Sequence, residues 1–295
     1  MDPSSIVPFW GPQTSYLNFC EEVPGIPLSP YSSLSNCLEG LCDNSLHWGV
    51  YQYPKMHINL GLVVYGIYGL WTLRQKPQAR SRAIPYCGLI GVGVCSGGYH
   101  MTLKYHTQMS DELSMHLLTT PLLYRVLTFQ TSPQYTKAVG IFLSLEFTVV
   151  MVVHMAMDEF LLHAVTFGLG VYLIATRTLK IIPRQIPNLY TRKNVQHIAL
   201  FGCFSFVFGY FVWLIDSYAC RTLTNMRQAV GLPLAFLLEL HGWWHFFTAI
   251  GGYVAVAVVD MLTSGEVDAD SVERLAWPLP SVARVVGAAR GLKKD

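Results

Sequence analysis

The residues with chemistry to offer fall into two strings of this 295-residue chain. Ser96-Gly-Gly-Tyr-His100 is followed by Asp111-Glu112, and His241-Gly-Trp-Trp-His245 lies inside the last long apolar run. An ionisable group in a membrane span costs about 2.5–3.5 kcal/mol on insertion scales, so its presence there points to function. His241 and His245 are four apart and share one face of a helix, a common two-ligand zinc arrangement. With His100 they make three protein ligands and leave one open position, the pattern of catalytic zinc. Asp111 then reads as general base and acid beside a metal-activated water. Its bland alternative, shared with Glu112, is to favour the N-terminus of a third helix. Ser96 lies in Gly93-Val-Cys-Ser96-Gly97, which is no nucleophile elbow, and suits a hydroxyl donor to a developing oxyanion. Together these residues predict a buried zinc hydrolase.

The elements that must position them read as membrane helices. Charged residues are only 13% of the chain and hydrophobic ones 52%, where a soluble domain carries about 25% charged. Seven apolar runs approach the length of a bilayer-spanning helix: Ile58–Leu73, Ile84–Leu103, Leu113–Phe129, Ala138–Met157, Phe160–Thr176, Ile198–Tyr218 and Leu232–Leu262. Runs such as Ile141–Val153 are apolar nearly all round, which argues against a soluble amphipathic bundle. The predicted fold is all-α, a polytopic seven-transmembrane helix bundle. The organisation reads as a lumenal N-terminal segment over 1–57, the helical domain over 58–262 and a cytosolic tail over 263–295.

Basic residues set the orientation. Only Lys55, Lys104, Arg221 and Arg227 fall on one side, and the other side collects the rest of the 20. The N-terminus is therefore expected to be lumenal and the C-terminus cytosolic. His100 at the end of helix two then shares a depth with His241 and His245 at the start of helix seven. Cys20, Cys37, Cys42 and Cys220 fall on the lumenal side, where disulfides form. A Cys20–Cys220 bridge would tether the N-terminal segment over helix seven, with Cys37 or Cys42 as competing partners. Of the remaining histidines, His116, one turn into helix three, is an alternative ligand. His154 and His163 flank the connection between helices four and five and with Asp158-Glu159 read as a polar lumenal patch, and the others, His106 among them, read as loop or interfacial residues. Glu146, Glu239 and Asp216 read as structural pairing groups. Met1–Pro12 lacks the basic and apolar regions of a cleavable signal. No basic patch with interleaved aromatics points to nucleic acid, and no protein partner is implied.

The string Ser96–Tyr105 with Asp111-Glu112-Leu113, the string His241–His245, and the opening Trp10–Glu22 together resemble the alkaline ceramidases. The resemblance runs over most of Ile84–Leu262 as well as the opening. It implies a seven-helix intramembrane amidase, related to the adiponectin-receptor-like proteins, that cleaves ceramide to a sphingoid base and a fatty acid in the endoplasmic reticulum or Golgi. It further implies zinc on His100, His241 and His245, Asp111 to orient and deprotonate the attacking water, and Ser96 to stabilise the oxyanion. The family's calcium site maps to Asn18, Phe19, Glu21 and Val23.

Between Val23 and about Leu60 the chain departs from the family pattern, with Pro24-Gly-Ile-Pro27, Ser29-Pro30 and a polar stretch. This predicts weak calcium binding, a poorly ordered Pro24–Lys55 and a first helix that starts late. Two other readings compete with ceramide hydrolysis: cleavage of another lipid amide or ester at the same zinc site, and a zinc-containing seven-helix receptor. Receptors of that kind are expected to hold the N-terminus in the cytosol, opposite to the charge bias here. A transporter should show matching broken repeats, and none is visible.

Overall fold

Seven long helices and one short one make up the computed structural model, which describes residues 13–16, 20, 44–231, 234–268 and 270–289, with the backbone alone for 44–58 and 288–289. They are α1 (Asn44–Leu73), α2 (Ala79–Thr102), α3 (Tyr105–Thr128), α4 (Pro133–Met157), α5 (Phe160–Gln185), α6 (Leu189–Val230), α7 (Leu240–Ser264) and α8 (Leu279–Ala289). A 3-10 segment, Leu234–Leu238, precedes α7. No strand occurs among the described residues. By length and composition, α4, α5, α6 and α7 suffice to cross a membrane. Their outer faces are apolar: Phe142, Leu145 and Val149 on α4, Leu161 and Val165 on α5, and Phe204 and Val207 on α6 are all exposed. Exposed apolar faces on several neighbouring helices suit lipid rather than water. The chain is an integral membrane protein.

The low hydropathy of α2 and α3 has a chemical cause. These two helices carry Ser96, His100, Asp111, Glu112 and His116, so the residues that offer chemistry also lower the apolar signal. α7 has the opposite character. Val254, Val256, Ala257, Val258 and Val259 are each at most 2% exposed. A helix apolar on every side and buried on every side belongs at the centre of a bundle. The approach of α6 to α7 is close enough that a Cβ on Gly251 would meet the Gly202 carbonyl oxygen at 2.9 Å. Small residues at such crossings are what let membrane helices pack.

Several expected boundaries are corrected. The first helix does not start late: its backbone runs from Asn44 across the stretch read as a polar loop. The apolar period marks only the part of a helix that faces lipid or core, here Asn59–Leu73. α6 is 42 residues long, about 63 Å at ~1.5 Å per residue, and carries its polar ends well beyond the apolar run. The last run is not one helix. Gly231, at φ 67°, ends α6, and the 3-10 segment turns the chain into α7. Asp216 is buried inside α6.

α2 runs antiparallel to α7. At one end, Arg82 on α2 donates from Nε and Nη2 to the Asp260 carboxylate of α7 at 2.9 and 2.8 Å. Its Nη1 donates to Glu266 at 2.9 Å. Arg125 of α3 reaches the same aspartate at 3.3 Å. The segment after α7 folds back here, with Lys76 on Glu266 at 3.2 Å and Arg274 on Asp268 at 2.8 Å. Tyr65 and Tyr68 of α1 donate their hydroxyls to the carbonyls of Trp277 and Arg274.

The hydrogen bonds from Arg82, then that from Lys76, hold the Glu266 carboxyl below the usual carboxylate range. The Arg274 hydrogen bond, then that from Ser271, does the same for Asp268. A depressed folded-state pKa gives stability that is full above the ordinary value of about 4 and is lost as pH falls through the depressed one. We predict that amides of residues 270–275 exchange faster with solvent below about pH 4, after correction for intrinsic rates. Asp268→Asn should produce that faster exchange at neutral pH; unchanged exchange in the variant would refute the link.

Candidate metal centre and active site

At the opposite end of the α2–α7 pair three imidazoles meet. α7 presents His241 and His245 one turn apart, and the last turn of α2 presents His100. Their ring centroids are 4.9 Å apart for His100–His241, 4.7 Å for His100–His245 and 4.8 Å for His241–His245. Each offers a ring nitrogen within 4.8 Å of the others. The rings are buried, at 3%, 3% and 7% exposure in the order His100, His241, His245. The Nε2 atoms of His100 and His245 face each other at 2.9 Å. Two imidazole nitrogens at that distance either share one proton or aim two lone pairs at a common cation. Among the described residues this is the one group of three with metal-binding spacing. Three imidazoles in a buried pocket are a donor set that suits zinc, so the residues present fit the metal that the sequence predicts.

Ser96 sits one turn before His100 on the same face of α2. It is 1% exposed, and its hydroxyl has no hydrogen-bond partner among the described residues. The α2–α3 hairpin turns at Leu103 and Lys104, so α3 returns alongside α2 and brings Asp111 within electrostatic reach of Cys95, the neighbour of Ser96. Asp111 is half-buried. Neither Asp111 nor Glu112 caps α3: the helix starts at Tyr105 with Lys104 as its N-cap, so both carboxylates lie in its second turn. Adjacent residues diverge by about 100° around a helix, and the two carboxylates go to different places.

Glu112 faces away from α2. Gln108 donates to its Oε1 at 3.0 Å, and its Oε2 forms a very short contact with His154 Nε2 on α4. The other ring nitrogen of His154 meets the Glu159 carbonyl at 3.1 Å. His163 of α5 stacks on His154 at 5.1 Å, and His116 of α3 stands edge-on to His163 at 5.0 Å. All three rings are buried. This second cluster ties α3, α4 and α5 together. From sequence, His116 reads as an alternative metal ligand and His154 and His163 as a polar patch at the α4–α5 connection. Ionisable groups within apolar runs were the only signal of the cluster, since no helical spacing links residues from three helices.

The N-terminal segment crosses the histidine end. Thr14 and Ser15 donate their backbone N–H groups to the Leu103 carbonyl, both at 3.2 Å. Tyr16 donates its N–H to Gln108 at 3.1 Å. Cys20 and Cys220 form a disulfide with Cα atoms 5.2 Å apart. Arg227 donates to the Cys20 carbonyl at 3.2 Å and pairs with Glu239, just before α7, at 3.2 Å. The expected calcium ligands Asn18, Phe19, Glu21 and Val23 lie outside the described residues, as do Cys37 and Cys42.

Fold and site together define a helical membrane protein with a buried three-histidine centre, a buried hydroxyl one turn before His100 on α2, and a disulfide-tethered segment at the same end. Comparison with known proteins gives that class its family. The family described as Ceramidase matches residues 57–286, and the chain belongs to it. It is 26% identical over 276 residues to alkaline ceramidase YPC1 of Saccharomyces cerevisiae, covering 88% of this chain and 80% of the yeast protein. It is 28% identical over 254 residues to alkaline ceramidase 3 of Mus musculus, covering 84% of each. A putative alkaline ceramidase, dcd3A of Dictyostelium discoideum, is 24% identical over 232 residues, covering 66% of this chain and 75% of its own length.

We predict that the purified protein carries about one equivalent of zinc, as a three-ligand site requires. His245→Ala should lose most of it while Asp111→Asn keeps it. Metal analysis that finds full occupancy in His245→Ala would rule out this centre.

Proposed function

We propose that this chain hydrolyses the amide bond of ceramide, releasing a sphingoid base and a fatty acid, with His100, His241 and His245 holding zinc. The observation that carries the reading is the meeting of three buried imidazoles, one of them a turn after Ser96 on α2, in a chain of the ceramidase family. A zinc ion there, when bound, supplies Lewis acidity and makes water a better nucleophile near neutral pH.

The chain's own groups supply the rest. As water adds to the amide carbon, the Asp111 carboxylate takes its proton. When the carbon–nitrogen bond breaks, the same carboxyl gives that proton to the leaving amine, so the base leaves as a neutral amine and Asp111 is restored. The Ser96 Oγ–H donates to the carbonyl oxygen as negative charge gathers on it. A hydroxyl with no competing partner among the described residues can make that bond, and burial strengthens it. Glu112, engaged by Gln108 and His154, is occupied in structure and does not serve as the base.

We further infer seven membrane crossings, with the histidine end facing the lumen of the endoplasmic reticulum or Golgi and the C-terminus in the cytosol. The Cys20–Cys220 disulfide at the histidine end suits an oxidising compartment, and most basic residues lie toward the opposite end. For calcium the proposal is weak binding through Asn18, Phe19, Glu21 and Val23. Only Glu21 among these offers a carboxylate, and calcium favours six to eight oxygen ligands.

Mass-spectrometric profiling of membranes containing wild type or His241→Ala tests the substrate. Wild type should deplete ceramide and accumulate sphingoid base, and the variant should do neither. Asp111→Asn is expected to cut turnover about 10²–10⁴-fold, the usual worth of general acid–base help. Near-normal turnover in Asp111→Asn would remove Asp111 from the role, and a trapped acyl-Ser96 would replace the water mechanism with a covalent one.

A further inference from the structure

α1 contributes a polar group to this end of the bundle that the mechanism above does not use. Asn59 is 1% exposed, and neither its side-chain oxygen nor its side-chain nitrogen has a partner among the described residues. A buried amide normally satisfies most of its donors and acceptors, so an orphaned one calls for a specific explanation. Its location supplies one. A Cβ added to Gly93 would meet the Asn59 carbonyl oxygen at 2.8 Å, and one added to Gly97 would meet the Asn59 Cβ at 4.0 Å. Gly93 is three and four residues before Ser96 and Gly97, and these are four and three before His100, so the four share one face of α2. Asn59 therefore packs on the stripe that carries the orphaned Ser96 hydroxyl and the His100 ligand.

Depth agrees with this placement. α1 and α7 run parallel, since their C-terminal ends are joined through Lys76 and Glu266. Tyr65 of α1 stacks on Tyr253 of α7 with centroids 4.7 Å apart. Asn59 lies six residues before Tyr65, about 9 Å along its helix, and His245 eight residues before Tyr253, about 12 Å along its own. Asn59 and His245 thus differ in depth by about 3 Å. Two buried polar groups without partners among the described residues, an amide and a hydroxyl, thus lie near the level of three imidazoles. A side-chain amide both donates and accepts, which complements the carbonyl, N–H and hydroxyl groups in the head of a lipid amide.

We propose that Asn59 is a substrate-positioning residue that hydrogen-bonds the polar head of the lipid amide beside Ser96, which rests on the ceramidase reading above. The test compares wild type with Asn59→Leu, a replacement of similar size with no hydrogen-bonding atoms, as holoenzymes in detergent micelles with ceramide as substrate. Zinc content and melting temperature should stay at or above wild type, because an unpartnered buried amide is removed. The value of kcat/KM per folded molecule should fall at least about ten-fold, mainly through KM, as loss of a binding contact requires. A kcat/KM within about two-fold of wild type would overturn the proposal. So would a lower melting temperature with activity lost only in proportion to folded protein, which would mark a structural or water-holding role.

If Asn59→Leu does not fold, Asn59→Ala and Asn59→Ser carry the test. They differ by one hydroxyl, so Ser should retain clearly more activity than Ala, and equal activity counts against the proposal. If wild type itself cleaves no ceramide, the ceramidase reading fails separately. A ceramide-induced rise in wild-type melting temperature that Asn59→Leu abolishes would still support Asn59 as a head-group contact, and equal rises would reject it.

Discussion

The register between α2 and α7 is the constraint on which the rest of the molecule depends. Both helices carry ionisable side chains at both ends, and each group is stable in its buried place only opposite its partner. Arg82 lies eighteen residues from His100 on α2, about 27 Å. On α7 Asp260 lies nineteen residues from His241 and fifteen from His245, about 22–28 Å. Equal spacing on two antiparallel helices lets the ion pair and the imidazole cluster form together. A slip of one turn would strand a guanidinium and a carboxylate in an apolar interior, and breaking such a buried pair costs about 3–5 kcal/mol. The separation is close to the ~30 Å depth of a bilayer's hydrocarbon core, and the valine-rich stretch of α7 lies between the two polar ends.

α3 converts that fixed seam into a site with a carboxylate. Consecutive residues Asp111 and Glu112 point about 100° apart, one toward α2 and the other into the histidine cluster of α4 and α5. The Glu112–His154 contact thereby fixes the rotation of α3 about its own axis, and with it the direction in which Asp111 faces. This division of labour explains why two adjacent carboxylates are present although only one is given a chemical role.

Much of this was legible in the sequence because the important groups are expensive where they are. His241 and His245 announce themselves by spacing, and His100 by depth once the basic residues have set the direction of each run. Cys20 and Cys220 were readable as a pair for the same topological reason. What escaped was information that apolar periodicity does not carry. The early turns of α1 and the long ends of α6 are helical but polar. The break inside the last apolar run is the 3-10 segment Leu234–Leu238, whose five residues are as apolar as the helix that follows. Asp111-Glu112 looks like a helix start since Ser110 precedes it, yet the helix had begun at Tyr105, where no side-chain cap signals it. The cluster of His116, His154 and His163 is assembled from three helices and has no spacing to read. Asn59 marks the edge of an apolar run, and only the packing of α1 on Gly93 and Gly97 reveals that it points inward.

The bond between Cys20 and Cys220 joins positions 200 residues apart and so imposes an order on biosynthesis. The N-terminal segment is the first part of the chain to leave the ribosome, but its anchor does not exist until six helices have been made. The anchor lies on α6, so it is made before α7 completes the histidine end. Closure of the strap is a late event that reports, in one covalent bond, that the first and sixth parts of the chain have arrived on the same side of the membrane.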